Sequence, residues 1–586
     1  MVKRTKRKKR RLTDQEKEQN LQKREIRNLL KNIGFSRIPR IDGKGFEFKG
    51  RTSEMDDIFY LENILLITEY TIGKPGEHLL KKNYFYNHLN ENKKEFIEFL
   101  LSHEKFTNFQ DYFKDNIKGK YTINQLQTRV LYCSKKTISN EHKEQVKDVV
   151  YFDYHIVKYF ESLAKVIKKS SKYEFFDFLG VPFAKVGDNV LNSANSSQQT
   201  YSGHILPEEN SSFKEGFKIV SFYIDAESLL KRAYVLRQNG WREKSNIGHY
   251  QRMFIQSKIR GMRKYLHERE RVFINNIITS LSVDKIKLYD SSDNLLKIDS
   301  KGNFINPDTT TVTPAKIEIF DQTNIIGIID GQHRTYAYHE GDDIYEPTIS
   351  KYRKIQNLLV TGILFPKDEP KQSRLKFEAN LFLEINANQA NANSQLKQEI
   401  ELMINPFSTV SIAKNVLNKL NQSGPLVNNF EEFWYEKGKL KTVSIVSYGL
   451  KPLLKLDDIK NKDSLFAIWP STDKSKLKAK NNTEYDLLDE YIDFSTEKIR
   501  DIIIAFKSKI GNAKWRIDRT DPNAILNVTT INGILNTLRL IIQNGKINTT
   551  KHYQTKLANI VKFPFKNYKS SQYRKMGQDI YDKYFN

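Results

Sequence analysis

The sequence predicts a multidomain protein of mixed α/β (α+β) class, and three observations carry this prediction. Its 586 residues are more than one compact core holds, since a domain usually takes roughly 100–200 residues. Its content of 39% hydrophobic and 12% aromatic residues is enough to fill several cores. Short apolar runs alternate with helical periodicity over most of the chain, and helical spacing dominates beyond Pro406.

Composition and pattern divide the chain into five segments. They are a basic disordered tail (1–23), an α/β domain (24–185), a linker (186–213), a second α/β domain (214–400) and a mainly helical region (401–586). The linker prediction rests on abundant Ser, Asn, Gly and Gln without periodicity. In the helical region, Ser495 or Thr496 is the predicted N-cap of the helix STEKIRDIIIAFKSKIG.

The two α/β segments are predicted from their apolar runs. After a helix over 25–33, the runs DIFYL and NILLITEYT form a hairpin around Glu62-Asn63, and a helix follows over 96–116. In the second segment, FKIVSFYID, VFINNIITSL, IIGII and LLVTGILF predict strands. Residues 374–404 predict a helix, a strand and a helix around FLEINANQANANS.

A formal net charge of +26 indicates a polyanionic partner, because Lys and Arg bind phosphates with release of counterions. DNA is the expected partner. The alternative is that solvated Lys and Arg faces only keep the protein soluble.

The first eleven residues are the most basic part of the chain. The candidate DNA-binding residues are Lys3, Arg4, Lys6, Arg7, Lys8, Lys9, Arg10 and Arg11. Such a block repels itself when free, and we expect it to bind DNA phosphates as an electrostatic arm. In a eukaryotic source, the same residues would equally fit a nuclear-localisation signal.

The compartment follows from what the sequence lacks. Cys133 is the only cysteine, which excludes a disulfide framework and a cysteine zinc site. No run of 18 apolar residues and no secretory signal is present, so no membrane partner is expected. We expect a cytoplasmic, nucleoid-associated protein of a bacterium or archaeon.

The stretch IIGIIDGQHRTYAYHEG has the pattern of an anion site. The apolar strand Ile325 to Ile329 leads to Asp330 and Gly331, and a short helix begins near Arg334. A glycine lets the backbone approach a phosphate, and His333 and Arg334 add donors in the same turn. The expected ligand is a nucleoside triphosphate, ATP or CTP. The alternative is a turn that merely caps a helix.

DGQHR at 330–334 resembles the signature of the DGQHR-domain (DndB-like) family, which is similar to the ParB/sulfiredoxin superfamily. YQR at 250–252, YLHERERVFINNII at 265–278 and FLEINANQ at 382–389 resemble the flanking segments, so the resemblance covers about 214–400. It implies a ParB/sulfiredoxin-like fold that binds or hydrolyses a nucleotide. Gln332 stands where sulfiredoxin needs a cysteine, which argues against that thiol chemistry.

The resemblance also implies roles for single residues. Gln332, His333 and Arg334 would contact phosphates, while Asp330 would fix the turn or help to hold a metal, with Gly331 at the phosphate. Outside the turn, three further nucleotide-binding candidates follow from the flanking segments. These are Arg252 as a phosphate or supporting contact, and Asn386 and Gln389, whose amides would read a base or order the turn.

A second constellation lies in SEMDDIFYLENILLITEYT, where acidic residues stand at both ends of the predicted hairpin. Asp56, Asp57 and Glu69 would meet there and share a Mg²⁺ or Mn²⁺ ion, which activates water for phosphodiester cleavage. The alternative is a solvated acidic strand edge that discourages aggregation.

The order of these acids resembles the core of a PD-(D/E)xK nuclease, which implies a restriction-endonuclease-like domain over 24–185. Glu54, Asp56 or Asp57, and Glu69 match the acidic positions, but Thr71 stands where the pattern has lysine. Lys74, Lys81 or Lys82 would supply the amine from the next helix, and Lys81 is our catalytic candidate. Without this replacement, the domain would be an inactive DNA-binding relative.

Two functions follow. The first is an antiphage-defence or DNA-modification-associated enzyme that cuts DNA with a divalent metal and binds or hydrolyses a nucleoside triphosphate, as a homo-oligomer or with defence-system partner proteins. The second is a DNA-binding transcriptional regulator with a nucleotide switch and an inactive nuclease-like fold.

Overall fold

The structure, a computed structural model, describes residues 12–191, 199–235, 254–305, 312–387, 394–431, 436, 438–457, 462–479, 482–518 and 520–586. It has a mixed α/β fold. The chain divides into two compact units, the first with the described residues up to Phe382 and the second with those from Leu383. None of the helices in these ranges is both long and apolar enough to span a bilayer.

The first part of unit one carries a small mixed sheet. Its elements are α1 (Asp14–Ile33), β1 (Ser36–Ile38), β2 (Phe46–Phe48), β3 (Arg51–Ser53), β4 (Asp57–Leu61), β5 (Ile64–Thr71), α2 (Pro75–Glu91), α3 (Lys93–Ser102), α4 (Thr107–Asn116), β6 (Gln127–Ser134), α5 (Asn140–Gln145), β7 (Val150–Asp153), α6 (Tyr154–Ile167), α7 (Lys172–Phe178) and α8 (Asp188–Leu191). The described strands form a sheet in the order β1-β4-β5-β6-β7. β1, β4 and β5 pair antiparallel, whereas β5, β6 and β7 are parallel.

The predicted hairpin is confirmed, because β4 and β5 pair across a turn at Glu62, whose φ is +52°. The amphipathic stretch 96–116 is not one helix: α3 ends at Ser102 and α4 begins at Thr107. β5 is buried along its whole length, as expected of a strand covered by helices on both faces.

The second part of unit one carries a larger sheet. Its elements are β8 (Thr200–Leu206), α9 (Glu208–Ser211), β9 (Lys218–Asp225), α10 (Ala226–Arg232), β10 (Ala233–Val235), α11 (Gln256–Arg269), β11 (Ile277–Ser282), β12 (Ile286–Tyr289), β13 (Leu295–Leu296), β14 (Thr313–Ile319), β15 (Ile326–Asp330), α12 (Gln332–Tyr336), α13 (Glu346–Ile355), β16 (Asn357–Phe365) and α14 (Lys371–Ala387). The described strands are ordered β10-β15-β11-β16-β9-β8-β14-β12-β13.

β8 corrects the linker prediction for 186–213. It pairs antiparallel with β9 and β14 in the middle of the sheet, with Tyr201 and Ile205 buried. A Cβ on Gly203 would lie 2.1 Å from the Ser221 carbonyl oxygen, so the glycine reflects close strand packing rather than a linker. A strand over FLEINANQ is also wrong, since residues up to Ala387 continue α14.

One apolar core runs through both parts of unit one. A single cluster of buried side chains contains α1 residues such as Leu30, α7 residues such as Phe176, and strand residues of the larger sheet up to Leu364. Lys172 and Glu340 add an ion pair of 2.9 Å between the two parts. The two parts therefore pack as one body.

Unit two is helical around its own core. Its helices are α15 (Ser394–Ile404), α16 (Thr409–Gln422), α17 (Thr442–Ser444), α18 (Lys451–Leu453), α19 (Leu465–Ile468), α20 (Tyr485–Ile510), α21 (Val528–Gln543), α22 (Thr550–Lys556) and α23 (Tyr573–Tyr584). The N-cap prediction at Ser495 or Thr496 is wrong, because α20 runs through both. The Thr496 hydroxyl donates to the Ile492 carbonyl at 2.7 Å, one turn earlier in the same helix.

Candidate functional site at the sheet edge

Polar side chains collect where the three parallel strands of the small sheet end. Thr71, Ser134 and Asp153 are the last residues of β5, β6 and β7, and they lie in register beside one another. In open α/β sheets, ligands bind outside the carboxyl ends of the strands. This edge is therefore the candidate functional site of the small sheet.

The two faces of the sheet separate the predicted acids. Thr68 pairs directly opposite Asp57, so both side chains point to the face covered by α1, and Glu69 points to the opposite face, covered by α2. The expectation that Asp57 and Glu69 share one metal ion is therefore wrong: the hairpin brings their backbones together, but not their carboxylates.

Asp57 is held in an ion-pair network on the α1 face. Its fully buried carboxylate accepts from the Arg27 Nε at 2.7 Å, the Arg37 Nε at 2.5 Å and the Tyr70 hydroxyl at 2.9 Å. These contacts satisfy both oxygens. Asp57 thus fastens β4 to α1 and β1 rather than serving as a metal ligand or catalytic acid.

Glu69 is the acid that keeps one carboxylate oxygen without a hydrogen-bond partner. The residue is 1% exposed, and its Oε2 lies 2.5 Å from the Lys82 Nζ, while its Oε1 has no hydrogen-bond partner. Burial raises the pKa of Glu69 to about 8 against the opposing effect of Lys82, with Asp56 and Glu54 adding repulsion. A buried carboxylate oxygen without a partner calls for a ligand, an ion or water.

Lys82, rather than Lys81, is the lysine that contacts Glu69. Lys82 faces the sheet. Neighbouring residues of a helix point about 100° apart, so Lys81 points away from the sheet and is exposed. The Lys82 Nζ also donates to the Glu54 carbonyl at 3.0 Å. Of the lysines named for this role, Lys82 thus lies at Glu69 and Lys81 lies on the exposed side of α2.

Asp56 and Glu54 lie beside Glu69 without completing a cage. Asp56 accepts from the Lys23 Nζ at 2.8 Å and from the Tyr70 amide at 2.9 Å, and the Glu54 side chain is exposed. Among the residues that the structure describes, no three His, Cys, Asp or Glu side chains converge as a metal-binding group.

His78 gives the edge a neutral donor and acceptor. Its Nδ1 lies 3.0 Å from the Tyr132 hydroxyl on the same face as Glu69. Burial and then the Lys82 charge lower the pKa of His78 to about 4. The ring is therefore uncharged at neutral pH and can accept or donate a hydrogen bond.

A second carboxylate–lysine pair, which the sequence prediction missed, stands at the end of β7. Asp153 is 1% exposed, its Oδ2 lies 3.0 Å from the Lys143 Nζ, and its Oδ1 has no hydrogen-bond partner. Burial raises the pKa of Asp153, with Lys143 opposing. The signal that could have found it is an acid directly after the apolar strand VVYF.

The DGQHR turn has the predicted strand-to-helix form. β15 ends at Asp330, Gly331 adopts φ +92°, and α12 follows with five residues. A Cβ on Gly331 would lie 2.6 Å from the Ile277 Cδ1 and would also be strained at this φ. Glycine is therefore required here by backbone and packing alike.

Arg334 is folded back onto the turn. Its Nη2 donates to Asp330 Oδ2 at 2.9 Å and to the Asn276 carbonyl at 3.0 Å, while its buried Nε has no hydrogen-bond partner. The His333 Nε2 accepts from the Ile255 amide at 3.2 Å. Gln332 points inward, buried, with an unpartnered Oε1. The half-buried Asp330, His333 and Arg334 are thus the part of this turn that reaches solvent.

Several predicted residues lie outside the described residues. These are Arg252, Gln389 and the tail residues Lys3, Arg4, Lys6, Arg7, Lys8, Lys9, Arg10 and Arg11. Asn386 lies in α14, not on the predicted strand.

Comparison with known proteins adds no further assignment. No protein-family model, no curated protein and no solved structure matches this chain.

Proposed function

We propose that this protein is a DNA-directed enzyme that cleaves phosphodiester bonds with a divalent metal at the sheet edge and binds a nucleoside triphosphate at the DGQHR turn. The observation that carries the proposal is the buried Glu69, with one oxygen on Lys82 and the other unpartnered. The resemblance of the acidic hairpin to PD-(D/E)xK nucleases, and of DGQHR to proteins of DNA-modification systems, supports a role in antiphage defence or DNA modification.

The edge offers what phosphodiester cleavage needs. A bound Mg²⁺ or Mn²⁺ would supply an activated water and neutralise the developing negative charge. Glu69 would hold the ion through Oε1, with Asp56 beside it, and phosphate oxygens would complete the coordination. Lys82 would donate to a phosphate oxygen at the scissile bond, and neutral His78 would make a hydrogen bond in the same space.

At the DGQHR turn, Arg334 and His333 would hold the phosphates of ATP or CTP. Arg334 would exchange its contact with Asp330 for the incoming phosphate, which explains how a cationic side chain is held ready without a ligand. Gly331 would allow the backbone to come close to the phosphate. Such a site would act in a cytoplasmic, nucleoid-associated protein, alone, as a homo-oligomer or with defence-system partners.

The second candidate is a DNA-binding transcriptional regulator with an inactive nuclease-like fold. Two observations favour it. The Asp57 carboxylate is ion-paired with Arg27 and Arg37, and no three His, Cys, Asp or Glu side chains among the described residues form a group that could bind a metal. In that case Glu69 and Lys82 would be a structural ion pair, and the nucleotide at the DGQHR turn would control DNA binding.

Plasmid cleavage separates the two functions. Supercoiled plasmid is incubated with the full chain and Mg²⁺ or Mn²⁺, with and without ATP or CTP, and the nicked and linear products are quantified. The enzyme predicts metal-dependent cleavage that Glu69→Gln abolishes. Glu62→Gln, on the same hairpin but at its opposite end beside Lys120, is the matched control and should cleave normally. Cleavage that survives Glu69→Gln would refute the assignment of the site.

A further inference from the structure

The Asp153–Lys143 pair repeats the arrangement of the Glu69–Lys82 pair. In both, a carboxylate that is 1% exposed places one oxygen on a lysine ammonium and leaves its other oxygen without a hydrogen-bond partner. Both acids lie at or near the carboxyl end of a parallel strand. Two buried carboxylate oxygens at one sheet edge are thus each without a protein partner and able to accept a hydrogen bond or an ion.

The Asp153 carboxylate is aimed at the α2 face. Phe152 belongs to the core on the α1 face and Tyr151 packs on the α2 side, so Asp153 alternates back to the α2 side. There it meets Lys143 of α5. Tyr132 is in register with Glu69, Tyr151 is in register with Tyr132, and the centroids of the two rings are 6.3 Å apart.

The side chain of Asp153 does not cap the helix that begins after it. It is the N-cap residue of the 14-residue helix α6, with an extended backbone at φ −64° and ψ 156°, yet its side chain makes no capping hydrogen bond. An aspartate at this position normally accepts from the first-turn amides of the helix. Its direction towards Lys143 is therefore not explained by helix capping.

We propose that Asp153 and Lys143 form a second cation and phosphate position at the same edge, an inference that rests on the proposed function. Asp153 Oδ1 would bind a divalent cation, since such hard ions take one or two carboxylates and complete their shell with phosphate and water oxygens. Lys143 would contact the same phosphate.

The spacing sets which phosphate is bound. β5 and β7 are separated by β6, and Asp153 is in register with Thr71, two residues beyond Glu69. Two strand spacings of about 4.8 Å and two residue rises of about 3.3 Å therefore place the backbones of the two acids on the order of 12 Å apart. A DNA strand presents one phosphate about every 3.4 Å along its axis. The second position therefore binds a phosphate of the strand other than the scissile one, and it orients the strand rather than reacting with it.

Manganese binding tests this directly, without requiring cleavage. The full chain is titrated with Mn²⁺, and free ion is measured from its electron paramagnetic resonance signal. Asp153→Asn should lose one bound Mn²⁺ per chain relative to the wild type, and Glu69→Gln should lose a different one, so the double variant should lose both. Asp148→Asn, whose carboxylate is engaged by Asn90, is the matched control. Equal binding by wild type and Asp153→Asn would overturn the proposal.

Two further measurements distinguish a lost cation position from misfolding and from failure of the proposed nuclease. Lys143→Gln/Asp153→Asn removes both charges of the pair, so no uncompensated buried charge remains, and it should melt like the wild type yet still lose the ion. If plasmid is never cleaved but the Asp153→Asn loss is seen, the nuclease fails while the cation position stands. If cleavage depends on Glu69 but Asp153→Asn binds Mn²⁺ normally, only the second position fails.

Discussion

The sheet edge and the DGQHR turn both stand at strand ends of unit one, yet they hold their charges in opposite ways. At the edge, Glu69 and Asp153 each keep a buried oxygen without a partner. At the turn, Arg334 is closed onto Asp330 and the Asn276 carbonyl. The edge can therefore gain a ligand without losing an internal contact, whereas a ligand that binds the Arg334 Nη2 must replace its contacts with Asp330 and Asn276. Affinity at the turn should be regulated more easily, and affinity at the edge should be more constant.

The strongest test of the comparison is Lys82→Met. Removing the ammonium that stands against Glu69 should lower plasmid cleavage about a hundredfold, the usual loss when one charge-stabilising donor is removed. The exposed neighbour Lys81→Met carries the same change of charge and should cleave at the wild-type rate. Initial rates of supercoil loss measure both. Equal losses in the two variants would mean that Lys82 contributes only general charge.

A stability measurement distinguishes the two acids of the hairpin. Asp57→Asn should lower the free energy of unfolding by about 2–3 kcal/mol, because charge-assisted hydrogen bonds to Arg27, Arg37 and Tyr70 are weakened. It should leave the number of bound Mn²⁺ ions unchanged. Urea denaturation and Mn²⁺ titration check the two parts. A lost Mn²⁺ would return Asp57 to the metal ligands.

This contrast also shows how far sequence could go at the site. The hairpin of β4 and β5 followed from pattern and spacing, whereas the substitute for a lysine at Thr71 came from the resemblance and stays a prediction. The choice between Asp56 and Asp57, or between Lys81 and Lys82, depends on which face a side chain occupies. A shift of one residue reverses that face, and the pattern did not fix strand and helix registers to one residue.

The same limit applied to the fold. Strands rich in apolar residues, such as β9, β15 and β16, could be predicted, because short apolar runs of this length are typical of buried strands. The linker prediction missed β8 because its exposed face carries Ser202 and His204 and its centre is Gly203. Lys143 and Asp153 escaped prediction because their pairing joins a helix and a strand end that no local pattern connects.

The turn is tested by nucleotide binding. Arg334→Ala should weaken ATP or CTP binding at least about tenfold, since a charge-assisted contact to phosphate is lost. Asp330→Asn should instead strengthen it, because it releases Arg334 from its ion pair. Titration calorimetry measures both, and Lys351→Ala on the exposed surface of α13 is the control. Unchanged binding in Arg334→Ala would remove Arg334 from the site.

The smallest expected effect is a pH dependence of stability that belongs to the region of the turn. Burial and the nearby Arg263 lower the pKa of His339 to about 3, well below its ordinary value. The unfolded chain therefore takes up this proton first as pH falls. The contribution of neutral His339 to the free energy of unfolding is therefore lost gradually as the pH falls through about 6.5, by about 0.7 kcal/mol between pH 7 and pH 6.

His339→Gln should remove this part of the pH dependence. Denaturation midpoints of the wild type and the variant, measured between pH 7 and pH 5, should converge as the pH falls. Parallel pH profiles would mean that other groups dominate the titration.

The position of β8 has a consequence for cutting this protein into pieces. Because β8 lies between β9 and β14, a fragment that begins at residue 214 leaves the backbone amides and carbonyls of both neighbours unsatisfied along two open strand edges. Such edges invite pairing with other chains. A shortened chain that keeps every residue of the DGQHR turn but lacks β8 should therefore self-associate. A fragment that carries the turn must also include β8.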